Sequence, residues 1–309
     1  MKKFILACCL GLAVLPLWAQ TRGNIASDFA NAFVSKEVKN AVLKAARNND
    51  FAALKKAVNG ANSSSMAVNV KNETGKTPLM LACYNGNLEM AKYLVKQGAK
   101  INTTDDEGRP AIYFAFLTRN DETKHALVRW LFHDMNAHVL SKAQFLIQNA
   151  LMERMPYVAL GMIYQAEGGE GLYVLSDKAY TPILLWAVKA AYYAKSRIEM
   201  DGYLAVIEHV LDKGADINDP KNREELWKNA AYKSQIYLYL TSRPEISSAT
   251  ALREFERMLQ FEGHETLKTS LVDNFIQNHP DHSTFLRQAR FMARDAEDDF
   301  MQQHLATKS

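Results

Sequence analysis

Residues 72–104 read NETGKTPLMLACYNGNLEMAKYLVKQGAKINTT, and this stretch decides the fold. Pro78 suits the first turn of a helix, where a missing N–H costs nothing, and Thr77 before it can cap that helix. Leu79, Leu81 and Ala82 begin an apolar run, Gly86 closes it, and Leu88, Leu94 and Val95 lie on a second helix that Gly98 ends. Gly75 recurs as Gly108, a step of 33 residues. A helix pair of this size cannot bury its own apolar face, so weaker copies should flank it and stack on it.

Such copies are present. Residues 39–58 contain Val42-Leu43, Ala45-Ala46, a turn at Asn48-Asn49-Asp50, and Phe51, Leu54 and Val58 at helical spacing. A polar loop is expected from Asn59 to Ala67, after which Val68-Asn69 leads to Gly75 as Ile101-Asn102 leads to Gly108. Residues 105–138 form the next copy and 139–175 a degenerate one, with Phe145-Leu146, Ala150-Leu151, Val158 to Leu160 and Ile163 as core and a loop at Gly168 to Gly171. The pattern returns at Thr181-Pro182-Ile183, with Pro182 expected to open a helix that Thr181 caps, and ends at Gly214-Ala215. Thr77 lies 21 residues before Gly98, whereas Thr181 lies 33 before Gly214, so an insertion of 12 residues falls around Tyr192 to Gly202. Residues 222–240 read as a last worn copy. Beyond Pro244 three helices are expected: Leu252, Phe255 and Leu259; Leu267, Leu271 and Phe275; and a third opened by Pro280 that holds Phe285, Ala289, Met292 and Phe300.

The order Gly-x-Thr-Pro-Leu, Leu-Ala, Gly, Leu-Glu, Leu-Val, Gly-Ala over 72–104, repeated in part at 176–219, resembles the ankyrin-repeat family, and the resemblance covers residues 39–240. It implies an all-α solenoid of helix pairs with short hairpin loops. The expected organisation is a leader at 1–19, a helical lead-in at 20–38, an array of about six repeats at 39–250 and a C-terminal helical cap at 251–309. In the family a histidine usually follows Thr-Pro-Leu and bonds to neighbouring repeats; Met80, Leu184 and Tyr113 occupy that slot here, so apolar packing must compensate. The family binds partners with its hairpin tips and first helices, which form one concave surface. By alignment that surface would include Asn72, Glu73, Lys76, Tyr84 and Asn85, then Asp105, Asp106, Glu107, Arg109 and Leu117, and later Lys178 and Tyr180.

Composition narrows the function. Apolar residues make up 48% of the 309-residue chain and charged residues 23%, as in a globular protein. The net charge of +3 includes Lys2 and Lys3, which gives no electrostatic case for nucleic acid. Lys2-Lys3, the apolar run Phe4 to Leu15, Pro16 and Ala19 have the form of a cleaved export signal, too short to span a bilayer. The mature chain would be periplasmic or secreted, without membrane insertion. Cys83 would then be its only cysteine, a small buried hydrophobe rather than a reactive thiol.

Chemistry is poorly supported. Gly75-Lys76-Thr77 lacks the second glycine of a phosphate loop, since Val70 stands there. His279 and His282 lack a third ligand, and no Gly-x-Ser-x-Gly nucleophile motif occurs. Asn62, Asn72 and Asn102 begin Asn-x-Ser/Thr triplets, which could carry glycans in a secreted eukaryotic protein. The expectation is a non-enzymatic scaffold for another protein, with no catalytic residues, cofactor or metal. The competing classes are a structural envelope protein and an enzyme or metal site in the C-terminal helices.

Overall fold

A computed structural model describes residues 30, 31, 33–139, 142–168, 175, 177–231, 234–260, 264–280 and 282–308. The expected leader and the Gly169 to Gly171 part of the expected loop lie outside them. Among the described residues the fold is helical, with one isolated bridge between Thr104 and Pro110. The chain divides into two compact units, one of residues up to 149 together with 161–175, the other of 150–160 together with 176–309.

In the first unit, α1 (Lys36–Arg47) pairs with α2 (Phe51–Asn59), α4 (Pro78–Tyr84) with α5 (Leu88–Lys96), and α6 (Ala111–Phe116) with α7 (Asp121–Arg129). First helices stack on first helices, with α4 between α1 and α6, and α5 packs on α7. Each helix is short because each is closely punctuated. Thr77 accepts a hydrogen bond from the Met80 N–H, Asn87 caps α5 through the Met90 N–H, and Asp50 caps α2 through the Ala53 N–H. Leu54, Leu79, Met80, Leu94 and Ile112 are fully buried between the layers. Burying each such side chain contributes roughly 1.5–3 kcal/mol.

The expected polar loop at 59–67 contains a further helical turn, α3 (Ser64–Ala67), capped by Ser63. Ala67, Val68 and Val70 behind it are buried, which anchors the segment that sequence polarity alone marks as loop. In the histidine slot, Met80 is buried and Tyr113 stacks on Phe145 with ring centroids 4.4 Å apart. Asparagines supply the hydrogen bonds between copies. Asn69 donates to the Gly98 carbonyl (2.8 Å) and accepts from the Lys100 N–H (2.8 Å), and Asn102 accepts from the His138 N–H (2.8 Å).

The second unit repeats this device. Asn218, in the same Ile-Asn context, donates to the Glu245 carbonyl (2.7 Å) and accepts from the Ser247 N–H (2.9 Å). α8 (Ala143–Met152) and α9 (Pro156–Gly168) are each divided between the two units, and the second unit contains the longer pair α10 (Asp177–Ala191) and α11 (Arg197–Asp212). The expected insertion lengthens both members of the α10–α11 pair to 15 and 16 residues. Pro182 does not open α10 but lies inside it. Tyr180, Ile183, Leu184, Ala187 and Val188 are buried, so the apolar face starts before the proline and carries the helix past it. Thr181 therefore does not cap its own helix; its hydroxyl accepts from the Asp216 N–H at 2.8 Å.

Beyond α12 (Arg223–Ala231) and α13 (Ser234–Thr241) come α14 (Ser248–Leu259), α15 (Glu265–Asn278), α16 (Ser283–Asp295) and α17 (Asp299–Ala306). The expected third C-terminal helix is two: Glu297 takes a left-handed φ of 55° and Asp298 starts a new helix by accepting from the Met301 N–H. Phe300 thus leaves the expected core and is exposed. Pro280 precedes α16 rather than opening it. Lys268 of α15 and Asp298 meet at 2.6 Å with both side chains largely buried.

Candidate protein-binding surface

Two hairpin tips are built by the same side-chain geometry. In the first, the Asn72 side-chain oxygen accepts from the Thr74 N–H (3.0 Å), the Thr74 hydroxyl (3.0 Å) and the Lys76 N–H (2.8 Å). In the second, one Asp105 carboxylate oxygen accepts from the Glu107 N–H (3.1 Å) and the Arg109 N–H (2.8 Å). An Asx side chain that bonds the backbone ahead of it is a turn former. Gly75 (φ 74°) and Gly108 (φ 75°) complete the tips. The tips touch: the Asp106 N–H donates to the Thr74 carbonyl at 3.4 Å, and a Cβ on Gly75 would fall 2.4 Å from the Asp106 carboxylate.

This geometry corrects part of the expected partner surface. Asp105 is buried, with its second oxygen held by Arg109 at 2.7 Å, so it shapes the tip and cannot meet a partner. Arg109 also holds Glu107 at 2.7 Å. Glu73, Asp106 and Glu107 are exposed, while Asn72, Lys76 and Arg109 are half-buried. In the second unit Lys178 is exposed but Tyr180 is 5% exposed, because it faces the core of the lengthened α10.

At the other end of the first helices, Tyr84, Asn85, Leu117, Thr118, Arg119 and Asn120 line a cleft of about 710 Å³. Tyr84 is 49% exposed and Leu117 39%, each directly after a buried pair, Ala82-Cys83 and Ala115-Phe116. The walls come close because Gly86 (φ 72°) has no side chain: a Cβ there would sit 2.7 Å from the hydroxyls of Thr118 and Thr123. Asn85 is half committed to structure, its amide donating to the Ala46 carbonyl at 2.9 Å. Arg119 and Asn120, which line the same cleft, were not among the expected residues. They occupy the positions of Gly86 and Asn87 in a copy that has lost its glycine, and so escape a motif search.

Cys83 lies behind the cleft, fully buried, and burial pushes its thiol up to about 12. A thiol so protonated is a poor nucleophile. Elsewhere, His279 stacks on Phe275 with its Nδ1 3.0 Å from the Phe275 carbonyl, and His282 Nδ1 lies 2.7 Å from the His279 carbonyl. No cluster of three or more His, Cys, Asp or Glu that could hold a metal occurs among the described residues. No described helix is long and apolar enough to cross a membrane.

Touching tips, stacked first helices and a 33-residue step carry the comparison with known families. Residues 42–143 match the family model described as ankyrin repeats, in three copies. Residues 42–143 are ankyrin repeats. A comparison with curated proteins found no match. The ankyrin match runs from within α1 to beyond α7 and so contains both tips and the whole cleft. Ankyrin repeats suggest a protein-interaction module.

Proposed function

We propose that this chain is a non-enzymatic scaffold, exported from the cytoplasm, that holds another protein on the face formed by the hairpin tips and first helices of residues 42–143. The observation that carries this reading is the Tyr84–Leu117 cleft. Two large apolar side chains stand in solvent at equivalent positions of adjacent repeats, held by buried neighbours and glycine-tightened walls. Large side chains in a pre-formed recess are the usual source of binding energy, and the exposed Glu73, Asp106 and Glu107 on the tips would orient a partner more than hold it.

The test is crosslinking of the mature protein in its native compartment, followed by binding measurements on the captured partner. Tyr84→Ala should weaken binding by about 1–3 kcal/mol, mostly through faster dissociation. Normal binding by a folded Tyr84→Ala protein, with binding lost on removal of residues 251–309, would move the site to the C-terminal helices. Export is supported by Lys2-Lys3, the short apolar run and Ala19. N-terminal sequencing of protein from the native host should begin near Gln20, and soluble cytoplasmic protein retaining Met1 would defeat that half of the proposal.

A further inference from the structure

The inference rests on the cleft being the docking surface and adds the chemistry of what docks there. The first two copies end their first helix in the same way. Asn49 (φ 59°) and Gly86 (φ 72°) make the turns after α1 and α4, so Arg47 and Tyr84, each two residues earlier, are equivalent. Leu117 follows Tyr84 by the 33-residue step. The Asn85 amide donates to the carbonyls of Ala46 (2.9 Å) and Arg47 (3.4 Å), which sets the end of α1 beside Tyr84. The result is a row of Arg47, Tyr84 and Leu117, with Arg119 among the residues that line the cleft.

Both arginines are exposed, and neither makes an ion pair among the described residues. The carboxylates near them in sequence are mostly committed. Asp50 caps α2 by accepting from the Ala53 N–H at 2.9 Å, and Asp121 holds Lys124 at 3.0 Å; Glu122 is the exposed exception. The exposed acidic side chains of the tips belong to the opposite end of the first helices. The row and Arg119 therefore offer two cations, an aromatic ring and an aliphatic side chain.

We propose that the cleft takes an extended acidic segment of a protein, with large apolar side chains against Tyr84 and Leu117 and a carboxylate on either side for Arg47 and Arg119. A guanidinium pairs with a carboxylate through two parallel hydrogen bonds, a geometry lysine cannot reproduce. Two packed-helix steps separate the arginines, about 20 Å. An extended chain covers that in about six residues, which sets the spacing of the two carboxylates.

The full chain, immobilised, is used to select from a random peptide library long enough to span the cleft. Selected peptides should carry Asp or Glu on both sides of large apolar residues. Arg47→Glu with Arg119→Glu should weaken those peptides by about tenfold or more and turn the selection toward Lys and Arg. Arg47→Lys with Arg119→Lys should keep the acidic preference with lower affinity, and circular dichroism should show both variants folded. Failure to select any peptide, selection without acidic bias, or an acidic bias that survives the charge reversal would each overturn the proposal. If the selected peptides are neutral and Tyr84→Ala releases them, the acidic chemistry fails and the cleft remains the docking surface. If they survive Tyr84→Ala as well, both readings fail together.

Discussion

The first unit builds its helix pairs from short helices and locked turns, whereas the second contains one long pair, α10 with α11, and ties elements together with ion pairs. In the first, α4 and α6 have 7 and 6 residues, each too short to be stable alone. Their positions depend on Asx-bonded tips, left-handed glycines and the neighbouring copy. In the second, α10 and α11 have 15 and 16 residues and tolerate an internal proline. There, charged side chains tie elements together: Arg154 to Glu199 at 2.7 Å, Arg243 to Asp212 at 2.9 Å and Lys268 to Asp298 at 2.6 Å. Close approach matters in both. Gly75 admits Asp106 in one, and Gly202 of α11 admits Pro156 in the other, where a Cβ would lie 2.7 Å from the proline ring. Regular sequence spacing yields short modular turns, and where the spacing is lost the chain relies on particular pairs of side chains.

That contrast can be broken by experiment. The largest effect is expected from Lys268→Met, which leaves Asp298 buried without its partner. Removing one member of a buried pair costs about 3–5 kcal/mol. Hydrogen exchange should show α15 and α17 losing protection while α4 to α7 keep theirs, and equal loss in both units would deny that they are separately stabilised. The same pair gives a pH signature. Burial raises the Asp298 carboxyl, but the Lys268 hydrogen bond, the Met301 N–H and the lysine charge outweigh it and hold it below its ordinary value. A carboxyl lowered in the folded state contributes stability above its unfolded value, and that contribution is lost as pH falls through the folded one. Protection of α17 should therefore fall in acid below the ordinary carboxylate range, and Lys268→Met should flatten this dependence.

A smaller effect is expected at Gly75. Gly75→Val forces a branched residue to φ 74° against Asp106. The backbone conformation alone costs about 1–3 kcal/mol, and the loss should appear in α4 and α6 rather than in the second unit. Smallest is Asp105→Asn, which keeps the turn-forming oxygen but removes the charge opposite Arg109. It should cost about 1 kcal/mol or less, whereas Asp105→Ala should cost more because the Glu107 and Arg109 N–H groups lose their acceptor. Thermal unfolding of the three proteins separates turn from charge. Equal losses for Asn and Ala would assign Asp105 to the ion pair instead.

The repeat step from Gly75 to Gly108 and the Thr77-Pro78 start were legible because backbone demands at single residues write themselves into sequence: a left-handed turn selects glycine, and a helix's first turn accepts proline. Tyr84 and Leu117 were legible for the same reason, since register alone places them after a buried pair. Pro182 misled because the rule that reads Pro78 correctly applies only where no apolar face extends upstream, and Tyr180 supplies one. The Asn69, Asn102 and Asn218 links were visible only as a recurring Ile/Val-Asn, because their partners lie 29 to 36 residues away. Asp105 read as a surface charge because a sequence shows that a residue is ionisable but not which N–H groups it faces.

By itself, then, the sequence determined the all-helical repeat, its period, the exposed Tyr84 and Leu117 and the buried Cys83, all set by local spacing and the conformational needs of individual residues. Only the tertiary structure decided that Asp105 and Tyr180 are buried, that the tips touch at Gly75 and Asp106, that Arg119 joins the Tyr84 cleft and that Lys268 meets Asp298. Those outcomes depend on which groups distant parts of the chain bring within a hydrogen bond of one another, and no single residue's preferences contain that information.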